Sequence, residues 1–147
     1  MILRDARPAE RLELEELQRR ASLMWENDRP FLLANPDAVE LPLAHIREGR
    51  VRVAEEAGAA LGFCVVLQRG DIADLDGLFV EPPQWGRGIG RRLVEDAVAR
   101  AAAAGAAAME VVGNDNALGF YQRLGFAVFG EAQTQFGPAK RLRLPLK

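Results

Sequence analysis

The residues best suited to chemistry lie in one run, Val80-Glu81-Pro82-Pro83-Gln84-Trp85-Gly86-Arg87-Gly88-Ile89-Gly90-Arg91-Arg92. An apolar stretch, Leu78-Phe79-Val80, reads as the end of a strand and meets a Pro-Pro stop. Glycines then recur at alternate positions, and a helical pattern opens. Glycine lets a backbone bend tightly and approach a ligand with no Cβ in the way. The first turn of a helix has unpaired N–H groups and the positive end of the helix dipole. Strand, glycine turn and helix start together make a site for an anion, most often phosphate. Arg87, Arg91 and Arg92 add positive charge there.

Three kinds of phosphate site compete. A P-loop needs Lys-Ser or Lys-Thr after its glycines, and the sequence has neither. A dinucleotide fingerprint needs Gly-x-Gly-x-x-Gly near the start of a βαβ unit. Here the spacing is Gly-x-Gly-x-Gly, past the middle of the chain. The run resembles the acyl-CoA-binding motif of the GNAT (Gcn5-related N-acetyltransferase) family, Gln/Arg-x-x-Gly-x-Gly/Ala. Gly86-Arg87-Gly88-Ile89-Gly90 carries the glycines, while Trp85 takes the motif's first position and Gln84 precedes it. About thirty residues on, Asn114-Asp115-Asn116-Ala117-Leu118-Gly119-Phe120-Tyr121-Gln122-Arg123-Leu124-Gly125-Phe126 resembles a second stretch of the same family.

The resemblance implies an α/β fold with a mixed central sheet of about six or seven strands, splayed between strands 4 and 5, and about four helices. It implies acetyl-CoA as co-substrate and a primary amine of a small molecule or peptide as acceptor. The amine would attack directly in a ternary complex. Trp85, Gly86, Arg87, Gly88, Ile89, Gly90, Arg91 and Arg92 would cradle the pyrophosphate. Leu78, Phe79 and Val80 would pair with the pantetheine amides as an added strand does. Asn114, with Ala117 and Tyr121, would meet the pantetheine arm, although Asn also suits a helix N-cap. The Val80 N–H would hold the oxyanion.

Tyr121 is the only tyrosine and falls at the family's general-acid position. A thiol with a pKa of about 8.5 takes a proton from a tyrosine of about 10 at modest cost. Its plainer reading is a tyrosine packed on the core. For the base the resemblance points to the fourth strand, where Asp74 and Asp76 share a face. Neighbouring carboxylates raise each other's proton affinity. A solvent-facing pair is the plainer reading, and Glu81 and His45 are weaker candidates. Cys64 sits in the most apolar strand, where a thiol is inert, so no acetyl-cysteine intermediate is expected. One histidine and one cysteine are too few for a metal site.

The elements must position these groups. The chain of 147 residues suits a single domain, residues 1–147. Its net charge of -2 argues against nucleic acid and anionic membrane. No apolar run reaches the roughly 18 residues of a membrane span. The charged N-terminus and single cysteine suggest a cytoplasmic protein, and relatives suggest a homodimer. Helical spacing predicts helices from about Pro8 to Met24 and from Pro36 to near Gly49, with a loop from Trp25 to Asn35. Strands are expected at Ile2 to Asp5, Arg50 to Glu55, Leu61 to Leu67, Ile72 to Val80 and Ala107 to Val112. A helix from Gly88 to Ala104 follows the glycine turn, and a short one runs from Ala117 to Leu124. Phe126 to Thr134 and Lys140 to Leu144 form a last hairpin around Phe136-Gly137-Pro138. An acyl-CoA-binding sensor without catalysis is the alternative function, and a nucleotide-binding enzyme a second one. The first helices, their loop and the last hairpin carry no acceptor signature.

Overall fold

A computed structural model describes residues 1–26 and 28–147. The strands are β1 (Ile2–Asp5), β2 (Val51–Glu56), β3 (Ala59–Arg69), β4 (Ile72–Val80), β5 (Ala108–Gly113), β6 (Ala127–Thr134) and β7 (Gly137–Pro145). The helices are α1 (Arg11–Ser22), α2 (Arg29–Ala34), α3 (Leu43–Arg47), α4 (Ile89–Ala103) and α5 (Asp115–Arg123). The strands hydrogen-bond in the order β1-β2-β3-β4-β5-β7-β6. The β4–β5 pair is parallel, with Ile72 opposite Ala108 and Leu75 opposite Val111. The chain forms two compact units, one of Met1–Val65 with Gly77–Asp96, the other of Val66–Asp76 with Ala97–Lys147. Strands β3 and β4 and helix α4 each contribute residues to both.

In the first unit, β1 pairs antiparallel with β2, and β2 with β3. Ala57 and Gly58 turn β2 into β3 with φ of +52° and +82°, the two positive values a type I′ hairpin needs. Five consecutive residues of β3, Leu61 to Val65, are buried, as expected of a strand covered on both faces. Helix α1 buries Leu14, Leu17 and Ala21, one stripe at helical spacing. Helix α4 adds Ile89, Leu93 and Val94 to this unit's core. Charged partners flank it: Arg4 binds Glu10 and Glu55, and Arg52 binds Asp5 and Asp96.

In the second unit, β5 and β6 both pair antiparallel with β7. Its core holds Leu75, Ala97, Ala101, Met109, Val111, Tyr121, Phe126 and Leu142. The opposite register of β5 places Asp74, Glu110 and Arg143 in one cross-strand row.

The expected boundaries shift at the prolines. The predicted loop contains α2, because Pro30 stands in its first turn, where no N–H is needed. Asn27, read as part of that loop, lies outside the described residues. The predicted Pro36 to Gly49 helix divides into a 3₁₀ turn (Pro36–Ala38) and α3. Pro42 divides it: it disfavours helical geometry in Leu41 and serves as an extended cap to α3. The last hairpin turns one step earlier than expected, since Gly137 already pairs with Thr134.

Candidate active site

In the first unit the glycine turn has the expected geometry. Gly86 and Gly88 have φ of +87° and +79°, and a Cβ at either would meet nothing within 4 Å. The left-handed backbone therefore stands open, as an anion cradle must. Helix α4 begins at once, and its first turn closes with the Arg92 N–H donating to the Gly88 carbonyl at 3.1 Å. The N–H groups of Ile89, Gly90 and Arg91 precede that bond and have no place in the helical ladder. The flanking cations are less uniform than the sequence suggests. Arg87 is turned to Glu56, at 2.9 Å, and to Gln84. Arg91 pairs with Glu95 at 3.5 Å. Arg92 is exposed, and among the described residues it has no acidic partner.

The tip of β4 is pinned. The Trp85 indole N–H donates to the Val80 carbonyl at 2.8 Å. The Glu81 N–H, on the far side of the same peptide bond, donates to the Leu61 carbonyl at 2.9 Å. Both polar atoms of the Val80–Glu81 peptide are thus engaged. Trp85 itself stacks on Trp25, with centroids 5.1 Å apart and planes at 25°. Gly62 lets β3 come this close: a Cβ there would lie 2.8 Å from the Phe79 carbonyl oxygen. Phe63 supports Phe79 from the neighbouring strand, at 5.3 Å. Glu81 receives both Arg20 nitrogens, Nε at 2.9 Å and Nη2 at 2.6 Å. This carboxylate holds the Arg20 guanidinium above its ordinary pKa.

In the second unit, Asn114 caps α5, its Oδ1 accepting from the Ala117 N–H at 3.0 Å. That is the plainer of its two expected roles, and it leaves the side-chain NH₂ for other contacts. Tyr121 is buried, 6% exposed. Its ring packs edge-on to Phe126 at 5.7 Å and against Gly113, where an added Cβ would come to 3.4 Å. The expected pair of aspartates divides into unlike members. Asp74 is held by Arg69 through bonds of 3.0 and 3.2 Å. Asp76 is exposed and, among the described residues, has no charged partner. His45 sits half-buried on α3.

Residues 12–126 match the Acetyltransferase (GNAT) family profile. The chain belongs to this family. Solved structures agree in fold. The PaiA N-acetyltransferase of Thermoplasma acidophilum in complex with coenzyme A has a TM-score of 0.80 at 16% identity, over 98% of each chain. An aminoglycoside 6'-N-acetyltransferase complexed with coenzyme A gives 0.76 at 17%, over 100% of this chain and 98% of that one. YncA of Salmonella typhimurium, a putative acetyltransferase with acetyl-CoA, gives 0.76 at 23%, over 100% and 94%. Comparison with curated proteins finds no match.

In this GNAT chain the sequence reading passed over Glu110. It is 5% exposed, yet charged. Arg69 Nη2 donates to it at 2.8 Å, Arg143 Nε at 2.8 Å, and Arg141 approaches to 3.8 Å. Arg143 also stacks over Phe129, at 4.5 Å. Arginines two apart on β7 must face one way, and that spacing was the available signal. Gly62 was also missed, for its φ is ordinary and only the neighbouring strand reveals its purpose. Among the described residues, no group of three or more His, Cys, Asp or Glu is placed to hold a metal, and no helix is long and apolar enough to cross a membrane.

Proposed function

We propose that the protein is an N-acetyltransferase that moves the acetyl group of acetyl-CoA to a primary amine, by direct attack in a ternary complex. The observation that carries this reading is the open turn with two left-handed glycines, placed between a pinned strand tip and a helix start. It has the form an acyl-CoA diphosphate needs, and it stands in a chain of the acetyltransferase family.

Acetyl-CoA supplies an activated carbonyl on a thiol leaving group. The backbone N–H groups of Ile89, Gly90 and Arg91, with Arg92, bind the diphosphate. Leu78, Phe79 and Val80 offer backbone to the pantetheine amides, and the Asn114 NH₂ adds a donor. The Val80 N–H holds the oxyanion. A new N–C bond forms while the C–S bond breaks. The amine's proton leaves through Asp76, directly or through water; Asp76 is the better base because Asp74 is committed to Arg69. Tyr121 gives its hydroxyl proton to the departing thiolate and regains one from solvent.

The test is thiol release by purified protein with acetyl-CoA and a panel of amines. We expect amine-dependent release, and a fall in kcat of roughly 10- to 100-fold in Tyr121→Phe with CoA affinity retained. Normal turnover in that variant ends the acid role. CoA binding without thiol release on any amine would make the protein a binding module.

A further inference from the structure

A groove of about 700 Å³ lies within the first unit, outside the glycine turn. The end of α1 and the residues just after it give Arg20, Leu23 and Met24; the start of β3 gives Ala59, Ala60 and Leu61; the segment after β4 gives Glu81, Pro82, Pro83 and Gln84. Ligand sites commonly measure roughly 300–1,000 Å³, with apolar walls and a few convergent polar groups. This groove falls in that size range and its walls are mostly apolar, but it is open to solvent. Its two sides are joined by the Arg20–Glu81 ion pair. They are joined again where Trp25 and Trp85, which follow Met24 and Gln84 in the chain, stack on each other. These two contacts tie the walls to each other.

We propose that this groove binds the acceptor, and that the acceptor is a primary amine with a single charge and an uncharged, apolar body. The inference rests on the acetyltransferase reading. Location supports it: Glu81 directly follows Val80, the residue assigned to the thioester, so a ligand against Glu81 lies beside the reacting end. Charge complementarity sets the ligand's head. Among the described residues of the wall Glu81 is the only acidic group, and Arg20 occupies one acceptor direction on each of its oxygens. A carboxylate has about four such directions, so an ammonium can bind the remaining ones. Charge also sets the ligand's limits. With Arg20 present the wall is neutral overall, and a polycation gains nothing from it. The apolar body is matched by Leu23, Met24, Ala60, Leu61 and the proline rings.

Methionine-methyl NMR on the full chain tests this. Met24 lines the groove, whereas Met109 is wholly buried in the other unit. The probes are 2-phenylethylamine, its alcohol analogue 2-phenylethanol, and spermidine. We expect 2-phenylethylamine to shift the Met24 methyl saturably with the Met109 methyl unmoved. The alcohol and spermidine should bind at least about 5-fold more weakly. Ala60→Phe fills the groove and should weaken the amine about 10-fold. Glu81→Gln should reduce the preference of amine over alcohol to within about 2-fold. Thiol release with acetyl-CoA should favour 2-phenylethylamine over spermidine. Turnover of spermidine but not 2-phenylethylamine overturns the proposal while the enzyme reading stands. An unmoved Met24 methyl overturns it too. A saturable Met24 shift that both variants weaken, with no thiol release on any amine, leaves the groove as an amine site but overturns its role as the acceptor site together with the enzyme reading.

Discussion

Replacing Gly62 by alanine tests whether the close approach of β3 to the β4 tip matters. The added Cβ would stand 2.8 Å from the Phe79 carbonyl oxygen and 3.3 Å from Val80 Cα and Cγ2. A carbon and an oxygen rest comfortably at about 3.3 Å or more, so the tip must retreat by about 0.5 Å. The Glu81 to Leu61 hydrogen bond, now 2.9 Å, would stretch to about 3.4 Å, past the useful range. Losing it costs about 1 kcal/mol. Strain from overpacking adds about 1–3 kcal/mol, and the backbone stiffening of alanine in a strand returns about 0.5–1 kcal/mol. The balance is a loss of about 2 kcal/mol, or about 4–8 °C in Tm for a chain of this size. The control is Gly130→Ala, whose Cβ would meet only Arg141 Cδ, at an ordinary 3.7 Å. Thermal unfolding by circular dichroism should show Gly62→Ala well below wild type and Gly130→Ala level with it or slightly above. In the proposed mechanism the tip also aims the thioester, and on that proposal kcat/KM should fall about 10-fold in Gly62→Ala. Equal melting of the two variants would refute the argument.

Other expectations follow from side-chain partners. Glu10 titrates below its ordinary value, first because of its hydrogen bonds from Arg4 and also the Arg7 N–H, against the opposing effect of burial. The unfolded chain therefore takes up this proton first, and the stabilisation is present above about pH 4.5 and lost as the pH falls through the folded value. Between about pH 6 and about pH 3, wild type should lose more stability to urea unfolding than Glu10→Gln; parallel losses would exclude the effect. Glu110→Gln should lower the urea midpoint by the equivalent of about 1–2 kcal/mol, discounted because Arg69 and Arg143 can turn to water. An unchanged midpoint would mean that the cluster adds nothing. Asn114→Ala should cost about 1 kcal/mol through the lost cap, and Asn114→Asp should restore stability without restoring CoA affinity. If the aspartate variant binds CoA as wild type does, the NH₂ contact is wrong.

The glycine turn was legible because its requirements are local. Alternate glycines, a Pro-Pro stop and a helix start say where backbone bends, whatever packs around them. The buried strand at Leu61 to Val65 was legible for the same reason, as an unbroken apolar run. The prolines misled because their effect depends on position: Pro30 fits the first turn of α2, whereas Pro42 interrupts a helix that the apolar spacing of Val39, Leu43 and Ile46 suggested. Asp74 and Asp76 could be put on one face from alternation, but Arg69 is brought to Asp74 by a tight turn whose side-chain directions the sequence does not state. Asn114 could be read as a cap or a ligand contact, and its oxygen caps. The pinning of Val80 by Trp85 was out of reach, since nothing in residue spacing says which carbonyl an indole will choose.

The lone thiol offers a clock. Cys64 is wholly enclosed, with its sulfur 4.0 Å from the Leu93 carbonyl. An alkylating reagent can reach it only when β3 and α4 part, so modification is gated by opening of the fold. The same disulfide dye that counts liberated coenzyme A would thus see almost nothing from intact molecules. A slow drift in a blank without acetyl-CoA would then measure how often β3 and α4 part, two residues from the site where Gly62 keeps the strands together.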